Sequence, residues 1–488
     1  MKNIFINSSS VGKLMLIVSG LVTSPILLLL FYPEDMKYIS SFLMTGLISV
    51  ILSIIVCIAT TKNNNEEPFT MKKGSITVLF IWLYSFFIGS LPFVFGNQLT
   101  FIQALFESVS GWTTTGLSVM DVRHVPKIYL FYRSFMQYCG GLGFVMVMVM
   151  LIQGKQAMSL YNAEGHSDQL APNLGKTART IFLMYFGYFL IGTIFYTFFG
   201  MPVFDAINHA MCALSTGGFS TEVDSIGAYN SIGIEAVTIF LMIIGTTNFA
   251  ALLLLSKRKI KQFFKVSEMR FLFVLLMITV PMVAASLFYQ LYMNIGEAFR
   301  VSIFNIVSAL STSGFSTMSY SEWPVFSIGI MILLMIIGGG IGSTAGGMKL
   351  TRAYLMCRIV KENIKKRISP SRAVSNPYFN RAQGKTYIDR AMESDTVGFI
   401  FCYIFIFIIG TLLVTLTANC SLSDAMFEFA SSLGTVGLSI GITGPTTNNA
   451  TLIVEMLGML LGRLEIFIVI IGIYLSLKKL QKITITKK

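Results

Sequence analysis

Four segments of this 488-residue chain carry one short pattern: threonine, any residue, glycine, leucine or phenylalanine, serine. They are Thr114-Thr115-Gly116-Leu117-Ser118, Thr216-Gly217-Gly218-Phe219-Ser220, Thr312-Ser313-Gly314-Phe315-Ser316 and Thr435-Val436-Gly437-Leu438-Ser439. The central glycines stand 102, 96 and 123 residues apart. Self-similarity at a near-regular spacing is the mark of an internal repeat. One polypeptide with four equivalent glycine-centred loops can set rings of backbone carbonyls about a single axis. Such rings replace the water around a dehydrating monovalent cation.

The solvent for this repeat is lipid. Hydrophobic residues make up 54% of the chain and charged residues 12%, against about 25% charged in soluble proteins. The apolar runs are long enough to be helices rather than barrel strands. The net charge of +13 invites a nucleic-acid reading, but the basic residues cluster between apolar spans and hold them to one side. Six scattered cysteines without paired spacing read as packing residues. The first apolar run, 11–32, lacks a small-residue cleavage site and reads as a retained span.

Two apolar helices, 11–32 and 39–60, precede a polar loop. Then one unit occurs four times: a spanning helix, a short amphipathic helix, the Thr-x-Gly loop and a second spanning helix. The units use 75–96, 101–112 and 126–152; 178–200, 204–214 and 231–255; 270–292, 297–310 and 325–356; 395–418, 422–433 and 451–478. The fold expected is all-α integral membrane: about ten transmembrane helices plus four re-entrant pore helices in pseudo-fourfold M1-P-M2 repeats, with an extra N-terminal helix pair. The divisions are 1–66, 67–165, 166–265, 266–390 and 391–488. The short helices align without gaps, with Phe106, Asn208, Phe304 and Phe427 ten residues before each glycine and Ser110, Cys212, Ser308 and Ser431 six before. Non-helical backbone at membrane depth survives only where buried in protein or lining a watery cavity, so four copies imply one shared cavity.

Assigning alternate loops to alternate sides puts 30 of the 36 lysines and arginines on one side. That side, with both termini, is expected to be cytoplasmic. The loops then face outward, with Asp121, Glu222, Asp224 and Glu322 at their mouths and little compensating positive charge, an arrangement that raises local cation concentration.

At these residues the chain resembles the Trk/Ktr/HKT superfamily of potassium transport proteins, and the bacterial TrkH type in particular. The resemblance covers almost the whole chain. It rests on the four loops, on Arg133 to Gly143, on Ala163 to Arg179, on Gly462 to Phe467 and on the extra helix pair. It implies a bacterial cytoplasmic (inner) membrane protein with a pseudo-fourfold pore and an outward filter. It also implies a homodimer that works with a separate cytosolic nucleotide-binding regulatory subunit, a TrkA-type ring. No cofactor belongs to the chain itself; potassium is substrate, and membrane lipid rather than nucleic acid is its surrounding.

The candidate filter is Thr114, Thr115, Gly116, Thr216, Gly217, Gly218, Thr312, Ser313, Gly314, Thr435, Val436 and Gly437. Glycine reaches positive φ without a Cβ clash; a single such loop would be an ordinary capping turn, but four in register are not. Among plant relatives a serine in place of the first-unit glycine goes with sodium preference, so Gly116 implies potassium. The threonine hydroxyls supply an inner site or only cap the loop.

Gly338, Gly339, Gly340, Gly342, Ser343, Thr344, Gly346 and Gly347 break the second helix of unit three, and no other unit carries such a run. A phosphate-binding loop is excluded, because Met348 separates Gly347 from Lys349 and no strand precedes the run. So many glycines cost about 1 kcal/mol each in a helix, too much for close packing alone. The resemblance assigns the segment to an intramembrane loop that blocks the pore. Arg463, deep in the last span, must face the bundle or a watery cavity. It either pairs with Glu465 or Glu428, or, as the resemblance implies, projects into the pore as an electrostatic barrier. Arg133 reads as structural. Glu107, His209, Asn305 and Glu428, equivalent on the short helices, read as hydrogen-bonding anchors.

The expected function is potassium uptake through this filter, gated by the intramembrane loop. The alternatives are a sodium or weakly selective cation pathway, and a secondary transporter with broken helices. The latter would show inverted halves, whereas these repeats run parallel. A membrane enzyme is the weakest reading, since the sequence shows no nucleophile–base set and no ligand cluster at the right spacing.

Overall fold

A computed structural model describes residues 10–61, 71–143, 174–370 and 376–486. The chain starts as helix Ser10–Thr23, tightens into a 3-10 segment Ser24–Leu30, turns through Pro33–Tyr38 and returns as helix Ile39–Thr61. The tightening does not break the expected first span, since Val11–Leu30 is one continuous apolar stretch of membrane length. Ser19 and Ser49 join the two helices through their hydroxyls at 2.6 Å. Buried Asp35 accepts from the Ile128 amide at 2.9 Å and fixes the pair to the first repeat.

The remaining helices fall in one repeated order. Unit one is Met71–Phe95, Phe101–Trp112 and Lys127–Leu142. Unit two is Leu174–Phe198, Val203–Leu214, and Ile232–Thr246 followed by Phe249–Ser256. Unit three is Ser267–Gln290, Ile295–Ser311, and Val325–Ile337 followed by Leu350–Ile368. Unit four is Arg390–Ala418, Leu422–Leu433, and Asn449–Arg463 followed by Ile466–Thr486. Six helices among the described residues are long and apolar enough to cross a bilayer, and two further bent pairs qualify together. The outer face of the molecule is apolar, its core clusters are apolar too, and its polar loops are gathered inside. Met277, Phe401 and Leu416 are 73–77% exposed on the first helices, while the threonines and serines of all four loops' inner ends are buried. Only a lipid solvent favours that arrangement.

The second helices depart from the sequence reading. Only unit three was expected to break, yet unit two bends by 115° between Thr246 and Phe249, and unit four by 104° between Arg463 and Ile466. Asn248 restarts the unit-two helix by accepting from the amides of Ala250 and Ala251. Glu465 takes a positive φ of 56° at the unit-four bend. In unit one the helix ends at Leu142, with Gly143 at φ 80°. Residues 144–152 of the expected span, and 163–173 of the motif that begins at Ala163, lie outside the described residues. The region 357–393 also holds more order than a loop. Its helix runs to Ile368, and an antiparallel hairpin follows, with Tyr378 opposite Tyr387 and Arg381 opposite Gly384.

Glycines set how closely each second helix meets its short helix. A Cβ on Gly140 would overlap the Trp112 carbonyl, one on Gly462 the Leu433 carbonyl, and one on Gly245 would stand 2.6 Å from the Leu214 carbonyl. The same backbone contact therefore recurs in three units. Gly462→Ala should force the helices apart and destabilise the protein by about 1–3 kcal/mol, the usual result of overpacking. Thermal unfolding in detergent checks this, with Gly187→Ala, where a Cβ meets nothing within 4 Å, as the neutral control.

Candidate functional site

Each short helix ends in the same way. The residue after the threonine donates its amide to a carbonyl in the last turn: Thr115 to Ser110 at 2.9 Å, Gly217 to Cys212 at 2.8 Å, Ser313 to Ser308 at 3.0 Å and Val436 to Ser431 at 2.8 Å. This closure turns the chain through the left-handed region twice. Thr114, Thr216, Thr312 and Thr435 have φ of 57°, 53°, 57° and 50°, and the central glycines 94°, 77°, 76° and 99°. A β-branched residue at positive φ is a steric outlier, with a cost of about 1–3 kcal/mol. Four such outliers in register were invisible in the sequence, where threonine gives no sign of that conformation. Strain kept at four equivalent points marks the place where the fold gives up stability for geometry.

The four loops close a ring. A Cβ on Gly116 would overlap the Gly217 carbonyl, one on Gly218 the Ser313 carbonyl, one on Gly314 the Val436 carbonyl, and one on Gly437 the Thr115 carbonyl. The same hypothetical atoms would stand 3.0 Å from Gly314 Cα, 2.9 Å from Gly437 Cα and 3.1 Å from Gly116 Cα for the last three. Unit one touches two, two touches three, three touches four, and four returns to one. The structure thus brings together all twelve candidate filter residues.

The backs of the loops are held by different means. Ser110 and Ser431 each accept the central glycine amide, from Gly116 and Gly437, at 3.0 Å. The anchors expected on the short helices reach the loop ends. Glu107 accepts from Ser118 Oγ at 3.0 Å and the Val119 amide at 3.2 Å. His209 Nδ1 faces the Asp205 carbonyl at 2.8 Å, so it carries a proton, and Nε2 is hydrogen-bonded with Ser220 Oγ at 3.0 Å. Asn305 donates to Thr317 Oγ1 at 3.0 Å and accepts from the Tyr320 hydroxyl at 2.6 Å. Glu428 accepts from Ser439 Oγ at 2.7 Å and the Ile440 amide at 3.1 Å. Arg133 is indeed a structural partner: its Nε lies 2.5 Å from Glu107, both side chains are buried, and its Nη2 donates to Ser118 Oγ at 2.8 Å. Gln137 clamps the second loop, donating to the Gly217 carbonyl at 2.6 Å and accepting from the Phe219 amide at 3.1 Å. Its signal in the sequence was an amide one helical turn after Arg133, on the same helix face.

Above the ring lies a cavity of about 640 Å³ lined by Gly116, Gly218, Gly314 and Gly437. Its acids differ from the sequence reading. Arg123 clasps Asp121 through two bonds of 2.9 and 2.7 Å and holds its carboxyl down to about 2, so that charge is compensated. Glu322 is not among the lining residues. Glu222 and Asp224 remain. Partial burial, then Asp205 and Asp224 nearby, raise Glu222 above the usual carboxylate range. It therefore loses its charge on acidification before an ordinary carboxylate does.

Below the ring, one segment meets units two, three and four, and Arg463 joins it to unit one. The glycine-rich loop is closed at its base, where Gly339 donates to the Gly346 carbonyl at 3.3 Å and Leu350 to the Gly339 carbonyl at 2.7 Å. Its tip rests on the bend of unit two: Gly340 donates to the Thr246 carbonyl at 3.0 Å, Phe249 to the Gly342 carbonyl at 3.1 Å, and Asn248 to the Ile341 carbonyl. Ser343 stays within the loop, bonded to the Gly340 carbonyl at 2.7 Å. Thr216 Oγ1 donates to Thr344 Oγ1 at 3.2 Å, and the Gly346 amide donates to Thr312 Oγ1 at 2.8 Å. A Cβ on Gly346 would overlap Thr435 Oγ1. Arg463 completes the set, donating to Thr114 Oγ1 at 3.2 Å, the Thr344 carbonyl at 2.6 Å and the Gly140 carbonyl at 2.5 Å. Glu465 and Glu428, the carboxylates weighed as its partners, are engaged elsewhere. Glu465 pairs with Arg352 at 2.7 Å, and Glu428 holds its own loop.

Comparison with known proteins agrees across the chain. A family model described as TrkH, cation transport protein, matches residues 39–479. The chain is 32% identical over 482 residues to the Trk system potassium uptake protein TrkG of Escherichia coli (strain K12), covering 94% of this chain and 96% of the relative. It is 30% identical over 475 residues to the Trk system potassium uptake protein TrkH of Salmonella typhimurium, with the same coverage. The crystal structure of the potassium transporter TrkH from Vibrio parahaemolyticus superposes with a TM-score of 0.82 at 26% identity, over 94% of this chain and 96% of that one.

The Arg133–Glu107 pair yields a stability test. Arg133→Met leaves a buried carboxylate without its cation, which costs about 3–5 kcal/mol. Adding Glu107→Gln should recover much of that loss, and thermal unfolding of the two variants in detergent measures the recovery.

Proposed function

The chain belongs to the TrkH family of cation transport proteins, and on that premise we propose that it carries potassium into the cell through the ring of four loops. It is a membrane-embedded transporter and not an enzyme. The observation that carries the reading is the closed cycle of glycine contacts, in which each loop leaves no room for a side chain on its neighbour. The carbonyls of Thr115, Gly217, Ser313 and Val436, with those of the glycines and threonines, take the place of the ion's water. The short helices end at these loops, so their C-terminal dipole ends favour a cation there. An inside-negative potential adds about 2.3 kcal/mol per charge per 100 mV to the inward driving force.

The segment Gly338–Gly347 is the gate, with Arg463 as its electrostatic part. Its support is contact: Thr344 and Gly346 meet units two, three and four, and Arg463 meets unit one. A cation leaving the ring downward meets a backbone plug and a fixed positive charge. Opening needs the loop to part from the bend at Asn248 and from the threonines.

The basic side faces the cytoplasm, and the chain divides at the ends of its five helical groups. A homodimer working with a separate cytosolic nucleotide-binding subunit fits the exposed basic helix end at Lys365, Lys366 and Arg367, and the hairpin beside it. The names of the relatives supply "Trk system" and potassium.

Rubidium and sodium flux into vesicles tests the filter. Gly116→Ser should lower potassium-over-sodium preference by about tenfold or more, since about 1.4 kcal/mol of lost discrimination is tenfold. Unchanged preference in serine variants at all four glycines would remove the filter from this ring.

The gate has its own test. Arg463→Ala should raise cation flux by about tenfold, the effect of about 1.4 kcal/mol on a barrier, without altering ion preference. Flux that falls in a folded Arg463→Ala protein would make the arginine a strut rather than a barrier.

A further inference from the structure

Units one and four hold their loops with the same scaffold but opposite charge. Glu107 and Glu428 are equivalent, and each binds the serine hydroxyl eleven residues on and the amide twelve residues on. Gly140 and Gly462 are also equivalent, each pressed on the carbonyl that ends its short helix. Seven residues before Gly140 stands Arg133; seven before Gly462 stands Glu455. Where unit one places a guanidinium against its glutamate, unit four places a second carboxyl.

Both carboxyls of unit four are fully buried. Among the described residues no lysine, arginine or histidine forms an ion pair with either. The helices packed around them carry Arg390, Glu393, Asp395, Cys402, Tyr403, Lys478 and Glu107, the last already paired with Arg133. Their own helices carry Asp424 and Arg463, and Arg463 is bonded to Thr114, Thr344 and Gly140; Val325–Ile337 brings no titratable residue. One hydroxyl bridges the two. Thr443 Oγ1 lies within hydrogen-bond reach of Glu428 Oε1, and 2.9 Å from Glu455 Oε1.

A hydroxyl has one proton to donate, so counting protons orders the chain. Glu428 Oε1 already accepts from Ser439 Oγ at 2.7 Å and from the Thr443 amide at 3.1 Å, and Oε2 accepts from the Ile440 amide at 3.1 Å. A carboxyl with that many donors around it is the acceptor-only, ionised form. Thr443 therefore gives its proton to Glu428, and its lone pair must accept one from Glu455. Glu455 Oε2 has no hydrogen-bond partner, as suits the neutral acid and not a buried carboxylate.

We propose that Glu455 is a proton-binding site behind the fourth loop, whose proton stays on Glu455 and donates to Thr443 while Thr443 donates to Glu428, a relay that fixes the segment Ser439–Thr443 and so positions that loop. The proton does in unit four what Arg133 does in unit one. These residues act through the loop, not on the ion. The flux part of the test rests on the filter reading above; the spectroscopic part does not.

The two glutamates should differ sharply on conversion to the amide. Glu455→Gln supplies an N–H donor to Thr443 in place of the acid proton. It should keep the rubidium-over-sodium preference of the parent protein within about twofold. Glu428→Gln sets an NH₂ among donors and should lose that preference. In infrared spectra of the full-length protein in vesicles, the buried protonated-carboxyl stretch should be present at neutral pH, vanish in Glu455→Gln and persist in Glu428→Gln. If Glu428→Gln does not fold, the band and the flux of Glu455→Gln decide alone. A band unchanged in Glu455→Gln, or no such band in the parent protein, as would follow if a metal cation sat between two carboxylates, overturns the proposal. If the infrared result holds while serine variants of the four glycines leave ion preference unchanged, the proton site stands and the filter reading falls.

Discussion

Four backbone segments approach one another so closely that no side chain fits between them. Each of Gly116, Gly218, Gly314 and Gly437 has a neighbouring carbonyl where its Cβ would stand, and much else follows from that constraint. The loops reach this approach only by turning twice through the left-handed region, and that turn sets four threonines at positive φ. Strain of this kind persists only where the surroundings over-determine it. The hydrogen bonds behind the loops supply that determination: two serines to glycine amides, four polar anchors on the short helices, and Gln137 on the second loop.

The ring is fourfold in backbone and not in chemistry. Unit one anchors its loop with an arginine–glutamate pair, unit two with its own histidine and the Gln137 amide of unit one, unit three with asparagine and tyrosine, unit four with two carboxyls. Within one polypeptide each unit can drift in its supports while the ring backbone stays equivalent. That freedom explains how the glycine-rich segment below the ring can come from unit three alone and the arginine beside it from unit four. The segment is tied at its tip to the bend of unit two, and its inner end meets the threonines that carry the strain. Ring and segment are therefore mechanically continuous.

The second helices of units two, three and four all depart from a straight span beside the glycine-rich segment. The unit-two bend supplies backbone groups that hold the loop, and Arg463 at the unit-four bend donates to the Thr344 carbonyl. Glu465 then finds Arg352, on the helix that leaves the loop, across a 2.7 Å pair.

The sequence by itself determined the lipid solvent, the helical class, the fourfold repeat, and the glycines and gapless register that make equivalence visible. These are local or periodic properties: composition chooses the solvent, helix length follows bilayer thickness, and a repeated loop must repeat its surroundings. Only the tertiary structure decided what lies between units. It turned threonines left-handed, bent two helices that read as continuous, neutralised Asp121 with Arg123, and gave Glu465 to Arg352 instead of Arg463. It also set Glu455 against Glu428. Most of those are contacts between residues far apart in the chain, or backbone states imposed by such contacts, and periodicity carries no information about which buried charge meets which.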